Sequence, residues 1–187
     1  MLKTSLATAI VVALAAILAA CGGSSSQSKS PSAQEAASAS AGDIPDNQAF
    51  VAFRDPKLGF SMKYPEGWAH RRSGRSVTFK NKDNVVRVAF SSGSAPTAAG
   101  VESELDRQRL KRAQPAQPVT VGPNKAIKVV YTTIGPPNPV SGKRPALSVD
   151  RYELAKGGKV ATVDLSTPKG VDNVDAYRLM IESFRWR

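Results

Sequence analysis

This 187-residue sequence contains a single histidine, His70, the side chain most often used in general acid–base catalysis. A Ser-His-Asp triad requires a nucleophile and an acid that converge on the histidine base. Ser73, Ser76 and Asp83 lie near His70 in the sequence, but this spacing does not establish that they converge. Two arginines follow the histidine directly and oppose formation of an imidazolium. We therefore interpret His70 as a structural residue and predict no catalytic residue.

Other catalytic and metal-binding patterns are also missing from the sequence. It contains no G-x-S-x-G, phosphate-loop or H-E-x-x-H motif, and one cysteine cannot supply a thiol redox pair or a Cys/His zinc cluster. We predict no metal, no cofactor and no enzymatic activity. A carboxylate pair for glycoside hydrolysis is the alternative. The candidate acids are scattered along the chain: Glu66, Glu102, Glu104, Asp150, Glu153 and Asp164.

Two groups of basic residues are better candidates for binding. The first is the segment HRRSGRS (70–76), whose arginines can hold phosphate or carboxylate groups with paired hydrogen bonds. The second is a proline-containing loop over 133–146, and long loops in compact domains often carry function. An ordinary solvated strand pair and a plain connection explain the same residues without a ligand, so both interpretations remain open. The candidate ligand-binding residues are Arg71, Arg72, Arg75, Lys143 and Arg144.

The single cysteine, Cys21, lies at the end of an apolar run near the start of the chain. Lys3 supplies a basic start, and Leu6–Ala20 is apolar except for one threonine. This run is shorter than the about 20 residues that a membrane-spanning helix needs. The ending Leu18–Cys21 resembles the bacterial lipobox, in which the thiol receives a diacylglycerol before the leader is cleaved. The resemblance implies a lipoprotein signal peptide over 1–20 and lipidation at Cys21, whereas a buried cysteine in a short anchor helix is the alternative.

Lipidation would place the protein outside the cytosol. One acyl chain holds a protein only marginally, so we expect at least two acyl chains, palmitate among them, at the modified cysteine. The expected location is the extracytoplasmic face of the cell membrane, or the outer membrane in a cell that has two membranes.

Composition divides the rest of the chain into a tether and a domain. Residues 21–49 contain the cysteine and then 17 Ser, Ala or Gly among 28 residues, which predicts a disordered tether. Residues 50–187 are long enough for one domain with its own core. The whole net charge of +11 lies in residues 58–187. Because aromatic residues make up only 6% and no face interleaves them with basic ones, we expect no nucleic acid partner.

Alternation of apolar and polar residues predicts most strands of this domain. The segment 58–68 has the period of a half-buried strand followed by a turn. Hairpins are predicted over 75–92, 117–135 and 146–168, the last one turning at two consecutive glycines.

Two helices are predicted from spacing and charge. The first covers 100–112, with Val101 and Leu105 facing inward, acidic residues at its start and basic residues at its end. The second lies in 171–187, with Asp172 as its N-cap. The order of strands, helix, strands and helix predicts an α+β fold in which helices flank a mainly antiparallel sheet. The stripe of the second helix expected to face the core is Val174, Tyr177, Ile181 and Phe184.

Two segments resemble the PsbP/Mog1-like family. FRDPKLGFSMKYPEGW (53–68) resembles the strand and turn that open the family's sheet, and YRLMIESFRW (177–186) resembles its last helix. The resemblance implies an α/β/α sandwich around an antiparallel sheet, with Trp68 and Phe184 in the core, of the type found in actinobacterial lipoproteins. Members include a photosystem accessory protein and a nuclear-transport factor, which act by binding partners. The resemblance therefore implies a fold and no catalytic residues.

Together these observations predict a lipid-anchored extracytoplasmic binding or accessory protein. Its basic surface would engage an envelope protein, an anionic polymer or lipid headgroups. An enzyme acting on cell-envelope polymers is the alternative function, and a passive surface protein without a defined ligand is a third.

Overall fold

The computed structural model describes residues 42–138 and 142–187. The predicted signal peptide, Cys21 and most of the predicted tether lie outside the described residues. Within these two ranges, no helix combines the length and the apolar character needed to cross a membrane.

Strands and helices alternate in the described ranges in nearly the predicted order. Seven strands form a large antiparallel sheet in the order β3-β4-β5-β9-β8-β7-β6, and β1-β2-β10 form a small one. The strands are β1 Phe50–Asp55, β2 Phe60–Pro65, β3 Ala69–Ser73, β4 Ser76–Asn81, β5 Asn84–Ser92, β6 Lys111–Val121, β7 Asn124–Ile134, β8 Ala146–Lys156, β9 Lys159–Pro168 and β10 Arg185–Trp186; the helices are α1 Ala98–Arg107 and α2 Val174–Glu182.

Hairpins build most of the large sheet, because strands adjacent in sequence pair at every step except one. The exception is β5, which pairs with β9 across the inserted α1 and the β6–β8 strands. The glycine pair joining β8 to β9 has positive φ at both residues, +57° and +73°, as a tight turn requires. All three predicted hairpins are present.

In the described residues, each face of the large sheet carries one helix. We call inner face the one that packs on α2 and the small sheet, around fully buried side chains such as Phe60, Phe79 and Phe184. We call outer face the opposite one, on which Val101 and Leu105 of α1 pack. Each such buried side chain contributes about 1.5–3 kcal/mol by leaving water. The predicted α/β/α sandwich is therefore confirmed.

Both helices end or begin differently from the prediction. Helix α1 stops at Arg107 because Arg109 adopts the left-handed conformation (φ +56°), and the following basic residues open β6 instead. Helix α2 begins one residue late, with Asn173 at its N-cap, so Val174 is 72% exposed rather than facing the core. Asp172 still accepts a hydrogen bond from the Val174 amide, at 3.1 Å. The buried stripe is Tyr177, Met180, Ile181 and Phe184.

Folded structure starts before Phe50, inside the segment assigned to the tether. Ile44 is buried in the core, and its amide donates to the buried side chain of Asn173 at 2.8 Å. The Asn173 amide group donates in turn to Thr167 and to Asn84, which itself donates to the Gly42 carbonyl. Residues 42–44 are thus held by a buried polar network that the composition of the segment does not indicate.

Candidate functional site

The candidate site is the part of the outer face that α1 leaves bare. Helix α1 packs on β6, β7 and β8. The outer face of β3, β4 and β5 therefore has no helix over it, and its alternate side chains are exposed or half-buried. One row of this face follows the strand register and consists of Arg71, Thr78, Arg87, Asp164 and Arg151.

Three cations, Arg71, Lys80 and Arg87, stand on this bare face around Thr78. Neighbouring strands lie about 4.8 Å apart, so Arg71 and Arg87 are about 10 Å apart at their Cα atoms. All three side chains are exposed, and none makes a hydrogen bond or an ion pair with the described residues. We call these three residues the cationic face.

The predicted cluster of Arg71, Arg72 and Arg75 is divided by the strand that carries it. Consecutive side chains of a strand point to opposite faces, so Arg72 lies on the inner side, where its Nε is 3.2 Å from a carboxylate oxygen of Asp55. Asp55 is itself buried and accepts the Leu58 amide. Arg72 therefore connects two sheets, whereas Arg71 is on the cationic face and Arg75 is exposed in the β3–β4 turn.

The second predicted group, Lys143 and Arg144, does not join the first. Both lie exposed in the β7–β8 connection, next to the pairing of Ile134 with Ala146. Following the register across the sheet, this connection is at the end opposite to the β3–β4 turn. One small ligand cannot contact both groups.

His70 makes aromatic contacts on the inner side of β3, opposite Phe79 in the register. Its ring packs against Phe53, with centroids 5.2 Å apart, and Phe79 at 6.1 Å. Its hydrogen-bond partner is the Tyr64 hydroxyl, 3.4 Å from Nδ1.

A buried ion pair that sequence reasoning missed neutralises the carboxylate in the row. Arg151 holds Asp164 with two hydrogen bonds, from Nε at 2.7 Å and from a terminal nitrogen at 3.0 Å, and donates a third to the Tyr131 hydroxyl at 3.3 Å. Burial raises the pKa of Tyr131 to about 12, with the Asp164 charge adding to the effect. Because Asp164 is occupied in this way, it does not pair with Arg87, which lies opposite to it in the register.

Of the clefts that border the sheet in the described residues, two contain both acidic and basic side chains from its strands, one on each face. The outer cleft, of about 530 Å³, lies between α1 and the outer face of β5, β9 and β8, and it includes Arg87 and Glu153. The inner cleft, of about 590 Å³, lies beside α2. In the inner cleft, Lys128 contacts Asp150 at 2.7 Å and lies over the Tyr152 ring at 5.3 Å. The charges of Lys128 and Asp150 at the centre of this cleft therefore compensate each other.

No metal centre accompanies these features in the described part of the chain, where no group of three or more His, Cys, Asp or Glu side chains could hold an ion.

Comparison with known proteins identifies the fold alone. No family model matches the sequence. No curated protein matches it either. Among solved structures, cyanobacterial PsbP (CyanoP) from Synechocystis sp. PCC 6803 is similar, with a TM-score of 0.55 and 19% identity over 75% of this chain and 94% of that one. The Ran-binding protein Mog1p of Saccharomyces cerevisiae is also similar, with a TM-score of 0.51 and 6% identity over 74% of this chain and 96% of that one.

A third similar structure is a protein from Bacteroides thetaiotaomicron, with a TM-score of 0.52 and 19% identity over 73% of this chain. The present chain spans about half of that protein, 48% of its length. The described domain therefore has a PsbP/Mog1-like fold, and these identities carry no assignment of a partner.

Proposed function

We propose that this chain is a lipid-anchored extracytoplasmic binding protein, without catalytic activity, that engages an anionic component of the cell envelope through its cationic face. The observation that carries the proposal is the placement of Arg71, Lys80 and Arg87 on one bare sheet face without protein partners. An anionic polymer or an anionic headgroup layer supplies the negative charges that could pair with these three cations. An acidic envelope protein offers the same charge, and Mog1p, whose fold is similar, is a Ran-binding protein.

The anchor in this proposal is Cys21. A basic start, a short apolar run and two small residues precede the cysteine, which agrees with the lipobox pattern. Two acyl chains would hold the chain stably at the membrane surface. The cationic face would then meet its ligand at a high local concentration.

Charge sets the expected strength of the interaction. A cation near an anionic surface gains about 1 kcal/mol, so three cations together correspond to about 3 kcal/mol, or roughly 150-fold in affinity. Screening reduces this gain as the Debye length falls from about 10 Å at 0.1 M salt to about 3 Å at 1 M. Binding through the cationic face should therefore be strongly sensitive to salt.

The test is co-sedimentation of the unlipidated chain 21–187, carrying Cys21→Ser, with phosphatidylglycerol vesicles and with purified wall polymer. Retention at low salt is expected, with loss at high salt. The variant combining Arg71→Glu, Lys80→Glu and Arg87→Glu should lose retention.

The control variant combines Lys57→Glu, Lys125→Glu and Lys156→Glu, three exposed lysines away from the cationic face. It changes the net charge equally and should retain most binding. Equal loss in both variants would mean that net charge alone acts, and no retention on either material would refute the proposal.

A further inference from the structure

The outer cleft has the dimensions of a small-molecule site. Its volume of about 530 Å³ lies within the range of about 300–1,000 Å³ that is typical of ligand pockets. Strands β5, β9 and β8 form its floor, α1 forms one wall, and the connection from β5 to α1 forms its rim. The end of β5 contributes hydroxyl groups at Ser91 and Ser92, and the connection contributes those of Ser94 and Thr97.

Glu153 is the unexplained charge in this cleft. Its side chain is half-buried on β8, yet it makes no hydrogen bond and no ion pair with the residues described. Burial raises the pKa of Glu153, and the Arg151 charge opposes this effect only in part. An ionised carboxylate left without partners in a partly desolvated site is unfavourable, so the fold does not account for this residue.

Apart from Arg87, the other charged side chains that line the cleft already have hydrogen-bonded partners of opposite charge. Arg151 is held by Asp164 through two hydrogen bonds. On α1, Glu104 accepts from both Arg107 and Gln108. Of the charged side chains that line the cleft, these pairings leave Glu153 and Arg87 without a partner.

Arg87 and Glu153 lie on either side of β9. In the register, Arg87 lies opposite Asp164, and Glu153 lies opposite Thr162, which is two residues from Asp164 on β9. Arg87 and Glu153 are therefore separated by two strand spacings across the sheet and by two residues along it. This places their Cα atoms about 12 Å apart. Both side chains line the cleft, so a small molecule long enough to span this separation can contact both charged groups.

We propose that the outer cleft binds a small zwitterion, with its ammonium group at Glu153 and its carboxylate or phosphate group at Arg87. Such a ligand satisfies both unpaired charges at once, and hydroxyl groups of the rim can accept or donate further hydrogen bonds. The site is distinct from the envelope contact proposed above, with which it shares only Arg87. The behaviour of Glu153 therefore separates the two proposals.

The test is an NMR titration of the uniformly ¹⁵N-labelled chain 21–187 (Cys21→Ser) with zwitterions of increasing charge separation: glycine, 4-aminobutyrate and 6-aminohexanoate. Butylamine and butyrate serve as probes with one charge, and phosphoethanolamine distinguishes phosphate from carboxylate. One zwitterion should bind at least about tenfold more tightly than either singly charged probe. The shifted amides should belong to the cleft, among them Gly100 and Thr162.

Glu153→Gln should abolish the preference for the zwitterion and leave butyrate binding unchanged, whereas Glu66→Gln, at an exposed turn, should change neither. In the unsubstituted chain, zwitterion binding should weaken as the pH falls through the raised pKa of Glu153, because protonation removes its charge. This pH titration uses the unsubstituted chain, so its result does not depend on whether a variant folds. Equal affinity for zwitterion and single-charge probes, unchanged binding by Glu153→Gln, or absence of binding by every zwitterion would overturn the proposal.

Discussion

Removing the charge of Asp164 provides the sharpest test of the buried ion pair. The side chains of Arg151 and Asp164 are only 9% and 12% exposed, so solvent cannot replace either partner. Asp164→Asn keeps the shape but leaves the guanidinium buried opposite a neutral group. Breaking a buried pair in this way costs about 3–5 kcal/mol. A domain of this size is stable by about 5–15 kcal/mol, so the loss is a large fraction of the total.

The assay is urea and thermal unfolding of the unlipidated chain. A loss of about 3–5 kcal/mol corresponds to a fall in Tm of roughly 10–15 °C for a domain of this length. The double variant Arg151→Met/Asp164→Leu should recover most of that loss, because apolar residues remove the uncompensated charge. The control is Asp175→Asn, whose partner Arg178 is exposed, and which should change stability by less than about 0.5 kcal/mol. A loss below about 1 kcal/mol for Asp164→Asn would refute this account of the pair.

Three further predictions concern stability. Glu153→Gln should raise Tm at pH 7 but not near pH 3.5. The pKa of Glu153 is raised above 4.5 in the folded state, so its ionisation destabilises the fold as the pH rises from the unfolded pKa to the folded pKa, and glutamine removes that cost. Asn173→Ala should cost about 2–3 kcal/mol in urea unfolding, because it leaves several buried groups without partners. Gly122→Ala should lower Tm much more than Gly67→Ala: both glycines have positive φ, but only at Gly122 would a Cβ collide with the Glu182 carbonyl.

Sequence patterns predict those parts of the fold in which neighbouring residues determine the outcome. Val77 and Phe79 alternate with polar residues, and the two glycines at 157 and 158 can adopt the positive φ of a tight turn at little steric cost, so these hairpins could be predicted. Strand β3 could be predicted only as one open interpretation of 70–76, the solvated strand pair, because its five residues, AHRRS, are all exposed and show no apolar alternation. The end of α1 was missed because the left-handed conformation of Arg109 has no signature at a residue other than glycine or asparagine.

The site was predicted less well than the fold for a related reason. Arg71 and Arg72 are neighbours in the sequence, but the period of a strand places them on opposite faces, which only recognition of β3 would have indicated. The pairing of Arg151 with Asp164, and the isolation of Glu153, depend on the register between β8 and β9. Register is set by long-range pairing, and a single sequence does not specify which residues face each other.

The network that holds Gly42 and Ile44 has a mechanical consequence. If the chain is tethered by its N-terminal side, any pull arrives at these residues before it reaches β1. The hydrogen bonds to Asn84 and Asn173 then take the load first and shield the pairing of β1 with β2. Under tension this network should therefore break before the small sheet does. Single-molecule force spectroscopy should detect the break as a separate step before β1 separates from β2.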